Sequence, residues 1–302
     1  MDLLITGAWA EAKTMIPMLQ KAGHHITFLQ QESDTLPCPY ERIEGVICNG
    51  LFLHHPIERF TNLKYVQLTS AGYDRVPMDH ITAHNIEIRN ARGVYSIPMA
   101  EFALCGVLQL YKKAPFFRKN QQQHLWEKNR GLIELFAKTV CIVGCGSVGC
   151  ECALRFSAFG CKVIGVDLYP TPSQEFTQIF PLSELKKALS ISDVVVLTLP
   201  LTKQTHHLFD RDMLFTIKHG ATLVNIARGS IVDSAALQDA LDKNHLFGAV
   251  LDVFEEEPLP MSHPFWDTEN IIVTPHNSFV GDNNASRLTK LILENLDSIR
   301  SE

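Results

Sequence analysis

Short apolar runs alternate along this chain with longer stretches whose apolar positions recur at helical spacing. The runs LLIT (3–6), HITFL (25–29), GVIC (45–48), KYVQL (64–68) and IEIR (86–89) predict five strands, with a helix at about 9–22 between the first two. Residues 96–112, SIPMAEFALCGVLQLYK, are apolar on nearly every side, which predicts a helix buried at a domain junction or subunit interface. The composition then changes. Residues 112–131, KKAPFFRKNQQQHLWEKNRG, are polar and glutamine-rich, and predict a surface connection with some helix. A second series follows: TVCIV (139–143), KVIGV (162–166), DVVVLTL (193–199), ATLVNI (221–226), LFGAVL (246–251) and NIIVT (270–274), closed by a helical pattern over 285–300. Strand and helix in alternation imply parallel sheets covered by helices on both faces.

Bulk properties narrow the classes. A chain of 302 residues suggests two domains, and 46% hydrophobic against 20% charged residues supports a sizeable core. A net charge of -6, with lysine and arginine scattered, argues against a nucleic-acid partner. No apolar stretch reaches the roughly 18–20 residues that span a bilayer, so no membrane partner is expected. The start, MDLLITGAWAEA, lacks the basic lead of a signal peptide, and a cytoplasmic location is the expectation. The eight cysteines are then expected as free thiols, and neither they nor the pairs His24-His25, His54-His55 and His206-His207 have the spacing of metal ligands. No metal is expected, and the histidines are expected on loops and helix edges.

Residues 139–170 carry the first chemistry. Gly144-x-Gly146-x-x-Gly149 follows an apolar strand and opens a helix, and Asp167 ends the next strand. Gly144 permits the tight turn, Gly146 lets backbone approach a pyrophosphate, and Gly149 lets helix pack on strand. The helix start offers N–H groups to the phosphates. Asp167 suits ribose hydroxyls and repels a 2′-phosphate, so NAD is expected over NADP. TLPLT (198–202) leaves a strand at the same carboxyl edge.

In LVNIARGS (223–230) a buried strand runs into Arg228 and then Gly229, a residue with free torsions. Glu257 follows the LFGAVL strand within AVLDVFEEEPLP, and His276 follows the NIIVTP strand. All three lie past the carboxyl ends of strands in one predicted sheet, where the reactive end of a dinucleotide belongs. Arg228 offers a fork of donors to a carboxylate and keto oxygen. His276 can exchange a proton with an alkoxide.

At these residues the chain resembles the NAD-dependent D-isomer-specific 2-hydroxyacid dehydrogenases, a family spanning phosphoglycerate dehydrogenases, hydroxypyruvate and glyoxylate reductases, D-lactate dehydrogenases and corepressors. The resemblance runs through GCGSVG, LPLT, NIARGSIVD, GAVLDVFEEEPLP, HPFW and TPHNS, and less strongly through TSAGYDRV (69–76) and NARGVYSIPMAEFAL (90–104). It implies a Rossmann-type nucleotide domain at 96–277 and a flavodoxin-like substrate domain built from 1–95 and 278–302, with a cleft between them. It implies that Arg228 binds substrate, His276 is the acid/base, and Glu257 orients His276. It also implies NAD contacts from Ser147, Val148, Leu199, Pro200, Thr205, Ala227 and Asp252, and substrate contacts from Ala71, Gly72 and Tyr95. For Asp252 a local capping role is the alternative. For Tyr95 it is a place in the core. A homodimer is the family expectation.

The expected activity is reversible hydride transfer between NAD(H) and a small 2-keto/2-hydroxy acid. Two alternatives stand beside it. One is a phosphoglycerate dehydrogenase without a regulatory domain, for which Arg75, Arg89 and Arg92 are candidate phosphate contacts. The other is an NADH-sensing scaffold of the corepressor kind, against which the lack of a long disordered tail speaks. Asn277 departs from the commoner family pattern, where a small or aliphatic residue follows the histidine.

Overall fold

Valine, isoleucine and leucine dominate the central strands because helices cover both sheet faces and leave no solvent side. The computed structural model describes residues 1–299. Twelve strands form two all-parallel sheets in this described range. The first sheet has the order β2-β1-β3-β4-β5, with β1 (Asp2–Thr6), β2 (His25–Leu29), β3 (Gly45–Cys48), β4 (Tyr65–Leu68) and β5 (Glu87–Arg89). The second has the order β12-β11-β10-β9-β6-β7-β8. Its strands are β6 (Thr139–Val143), β7 (Lys162–Asp167), β8 (Gln178–Pro181), β9 (Val194–Leu197), β10 (Ala221–Asn225), β11 (Leu246–Leu251) and β12 (Ile271–Val273). Inner strands β3, β4, β9 and β10 are buried at every residue, while the edge strands β5 and β12 are half-buried throughout.

The chain forms two compact units: Met1–Tyr95 with the segment from Gly281 onward, and Ser96–Val280. In the first, the terminal helix Asn284–Ile299 packs Leu288, Ile292 and Leu296 with Trp9, Leu3 and Ile5. Trp9 Nε1 donates to Thr289 Oγ1 at 2.9 Å, and Asn295 Nδ2 donates to the buried Gln67 at 2.8 Å. The expected boundary at 278 lies too early. Asn277 and Ser278 donate their backbone N–H groups to Asp252 and stay with the second unit. The helix expected over 285–300 is described as far as Ile299, and Arg300 lies outside the described residues.

In the second unit the apolar helix Ser96–Tyr111 buries Ala100, Ala103, Val107 and Leu110 in the core shared with Val224 and Val250. Gly106 makes that approach possible, because a Cβ there would stand 2.5 Å from Val250 Cγ1. The polar connection includes one helix, Ala114–Gln122. β8 has no counterpart among the predicted strands. It is a short edge strand with Gln178 exposed and Pro181 at its end, so neither alternation nor apolar length marks it. Two histidines expected at the surface, His24 and His55, are buried, and His55 Nδ1 meets Tyr40 OH at 2.7 Å.

Candidate active site

The turn from β6 into the helix Ser147–Ala158 is a cradle built by size. Gly144 adopts φ +103°, and a Cβ on it would stand 2.7 Å from Leu199 N. A Cβ on Gly149 would overlap Gly144 O. A Cβ on Gly146 would meet nothing within 4 Å, so the space over the helix start is open. Gly146 caps that helix without a side chain, which leaves the first N–H groups to an incoming anion. Ser147 and Val148 follow as the first helical residues, both half-buried. The strand exit after β9 is tied to the same turn, with Thr198 Oγ1 donating to Gly144 O at 2.6 Å. Leu199 is buried, Pro200 is exposed, and Thr205 donates back to Pro200 O at 2.8 Å.

Asp167 ends β7 beside this turn. Its Oδ2 accepts Cys145 N at 2.7 Å and its Oδ1 accepts Tyr169 N at 3.0 Å. The neighbouring Leu168 and Tyr169 are exposed and carry no charge. Burial pushes the Cys145 thiol up to about 12, with Asp167 adding to the effect, so the thiol stays protonated. Open N–H groups, an acid at the end of the next strand and glycines where side chains would intrude together fit a dinucleotide.

The polar trio stands past the ends of neighbouring strands β10, β11 and β12. Asn225 ends β10 with its side chain buried. Its Oδ1 accepts Ala227 N at 3.1 Å and its Nδ2 donates to Arg228 O at 3.0 Å. This side-chain bridge sets the bend that presents Arg228, and an asparagine two residues before the bend was its only sign in the sequence. Ala227 is buried, and its carbonyl accepts Arg228 Nη1 at 2.7 Å. Gly229 does not owe its place to free torsions. Its φ is not in the left-handed range, and a Cβ on it would overlap the Phe254 carbonyl carbon. The residue is glycine for space.

Glu257 and His276 meet directly. His276 Nδ1 lies 2.8 Å from Glu257 Oε2, and Glu257 Oε1 accepts Phe254 N at 3.0 Å. His276 adopts φ +51°, a left-handed backbone uncommon outside glycine. Its N–H donates to Asp252 O at 2.7 Å. Asp252 is fully buried, and its carboxylate accepts Thr274 Oγ1, Asn277 N and Ser278 N at 2.7, 2.8 and 2.9 Å. Backbone and side chain of one residue therefore hold the histidine loop. These bonds supply the local capping role that stood beside the cofactor contact as the reading of Asp252. Glu255 accepts Ser234 N at 3.0 Å and meets His207 Nε2 at 2.8 Å. Burial raises its carboxyl, but the Ser234 and His207 bonds outweigh that and hold it below the ordinary range.

In the first unit, Ala71 and Gly72 follow β4. Asn90 Nδ2 donates to Ala71 O at 2.6 Å, and Tyr95 OH donates to Thr69 O. Burial pushes the Tyr95 phenol up. Tyr95 thus braces the loop through its hydroxyl. Arg89 is engaged by Glu87, Asn295 and Ser298, which accounts for it structurally. No metal-binding group of histidine, cysteine or acidic residues occurs among the described residues.

Residues 104–278 match the family model described as D-isomer specific 2-hydroxyacid dehydrogenase, NAD binding domain. The chain belongs to this family. A glyoxylate reductase of Thermofilum pendens is 33% identical over 250 residues, covering 79% of this chain and 72% of the relative. A D-3-phosphoglycerate dehydrogenase of Methanocaldococcus jannaschii is 32% identical over 222 residues, covering 73% of this chain but 42% of the relative. A crystal structure of a D-isomer specific 2-hydroxyacid dehydrogenase family protein from Aeromonas salmonicida superposes with a TM-score of 0.82 at 30% identity, over 98% of this chain and 95% of that one. As a 2-hydroxyacid dehydrogenase the chain is an oxidoreductase, and its second unit holds the family's NAD-binding domain.

Proposed function

We propose that this dehydrogenase interconverts a small 2-keto acid and its D-2-hydroxy acid with His276 as acid/base, Glu257 as its orienting partner and Arg228 as the substrate cation. The contact of His276 Nδ1 with Glu257 Oε2 at 2.8 Å carries the assignment. A carboxylate only accepts at that distance, so Nδ1 donates and Nε2 is the edge left to exchange a proton with the substrate oxygen. Arg228 supplies planar donors for the substrate's carboxylate and keto oxygen. Gly144, Gly146, Ser147, Val148 and Gly149 would hold the pyrophosphate and Asp167 the ribose, with Leu199, Pro200, Thr205 and Ala227 completing the cofactor's surroundings. Bound NADH supplies the hydride. In the first unit the Ala71-Gly72 loop, braced by Tyr95, is the proposed contact for the substrate's carboxylate.

The reading includes a cytoplasmic homodimer. Leu125, Trp126, Leu132 and Phe136 are 51%, 98%, 43% and 70% exposed along one segment of the second unit, an apolar surface suited to a second copy. Sedimentation of Trp126→Asp against wild type tests it, with a shift to monomer expected. No described helix is long and apolar enough to cross a membrane. The activity is tested by NADH oxidation with glyoxylate, hydroxypyruvate, pyruvate, phenylpyruvate, 2-ketoisocaproate and 3-phosphohydroxypyruvate. Turnover of at least one is expected. NADH binding without turnover of any would favour the sensing scaffold.

A further inference from the structure

The first unit's strand order reverses between β1 and β3, with β2 on one side and β4 and β5 on the other. In open parallel sheets that reversal leaves a crevice outside the carboxyl ends of the two strands, where ligands bind. In this chain the crevice carries an anion of its own. Glu32, just past β2, accepts Thr6 Oγ1 at 2.9 Å and Asn49 N at 2.6 Å on Oε1, and Gly50 N at 2.7 Å on Oε2. Thr6 ends β1, and Asn49 and Gly50 follow β3 directly. Thr6 is fully buried, and Asn49 Oδ1 is a buried acceptor without a partner. Arg75 runs its stem within 3.6 Å of where a Gly50 Cβ would stand. It forms no ion pair with Glu32 among the described residues. The donors at this position are therefore already taken by a carboxylate.

The adjoining strand leads to the loop proposed for the substrate. Cys48 of β3 pairs with Leu68 of β4, and Thr69 N donates to Cys48 O at 2.8 Å. The Thr69–Gly72 loop thus leaves the sheet about one strand spacing, roughly 5 Å, from Asn49 and Gly50. We propose that Glu32 is a specificity-determining residue: a built-in anion that makes this dehydrogenase take 2-keto acids whose single charge is the 1-carboxylate, and reject those carrying a second anionic group. The proposal rests on the reading that the Ala71-Gly72 loop receives the substrate's carboxylate. A second anion on a small substrate held there would face Glu32 across the spacing between the ends of β3 and β4, and repulsion between like charges several ångströms apart at partly buried sites amounts to roughly tenfold or more in affinity.

The test compares hydroxypyruvate with 3-phosphohydroxypyruvate, which differ by one phosphate, in wild type and Glu32→Gln. Glutamine keeps one acceptor, toward Asn49 N and Thr6 Oγ1, gives up the one that met Gly50 N, and removes the charge. Wild type is expected to prefer hydroxypyruvate in kcat/KM, and Glu32→Gln is expected to raise the phosphorylated-to-unphosphorylated ratio about tenfold. A wild type that prefers the phosphorylated acid overturns the proposal. So does a ratio unmoved by Glu32→Gln, since a merely structural glutamate would lower both activities together. If neither acid is turned over while NADH still binds, the dehydrogenase reading fails on its own, and a second measurement judges the anion. Glu32→Ala exposes the three donors, so added acetate is expected to raise the Tm of that variant and not of wild type. Equal response of the two to acetate overturns it.

Discussion

His276 and Glu257 are joined at 2.8 Å, and Glu257 is itself held by Phe254 N–H at 3.0 Å, so the carboxylate that meets the imidazole is tied to the backbone through its other oxygen. His276→Ala should lower kcat about 100- to 10,000-fold, the usual worth of a positioned acid/base. NADH affinity, measured by fluorescence titration, should hold. Glu257→Gln should lower kcat by a smaller factor. Unchanged turnover in His276→Ala would end the assignment.

The glycines of the nucleotide turn should separate by what surrounds them. A Cβ on Gly149 would overlap Gly144 O, whereas one on Gly146 would meet nothing within 4 Å. Gly149→Ala should cost about 1–3 kcal/mol of stability through overpacking, read as a lower Tm. Gly146→Ala should leave the Tm nearly unchanged and weaken NADH, because only the bound pyrophosphate needs that space. Equal thermal loss in both variants would contradict the division.

Asp252 satisfies one hydroxyl and two backbone N–H groups of the histidine loop while fully buried. Asp252→Ala leaves those donors without an acceptor, at about 1–3 kcal/mol for each that stays buried. Urea denaturation should show the loss, and kcat should fall with it because His276 keeps its left-handed backbone only while the loop is tied.

Asp193 gives a pH test. Burial pushes its carboxyl up, but the Lys218 hydrogen bond at 2.7 Å and the Thr139 N–H bond at 2.9 Å outweigh that and hold it below the ordinary aspartate range. A depressed folded value means stability that is present above the unfolded value of about 4 and lost as pH falls through the folded one. Asp193→Asn should therefore cost about 1.5 kcal/mol near neutral pH. The gap to wild type should close in denaturation curves recorded below the unfolded aspartate value.

Much of this was legible along the chain. GVIC, TVCIV and LFGAVL coincide with β3, β6 and β11, because buried parallel strands need apolar runs and such runs are local, and HITFL coincides with β2, a half-buried edge strand. β8 was not legible, since an edge strand with Gln178 outside and Pro181 at its end lacks that mark. His24 and His55 read as surface residues, and it is the tertiary contact with Tyr40, ring against ring and hydroxyl on Nδ1, that accompanies the burial of His55.

The sequence by itself determined the alternation of strands and helices, the nucleotide turn with its acid at Asp167, and the placing of Arg228, Glu257 and His276 after strands. Those features depend on spacing within one segment. The tertiary structure alone decided what each polar group meets. β11 lies between β12 and β10, and β1 lies between β2 and β3. That order brings Glu32 onto the amides after β3, Asp252 onto the loop after β12, and the Phe254 carbonyl against Gly229. Each is a contact between distant segments, set by strand order and the room between backbones, and neither is written in any local pattern.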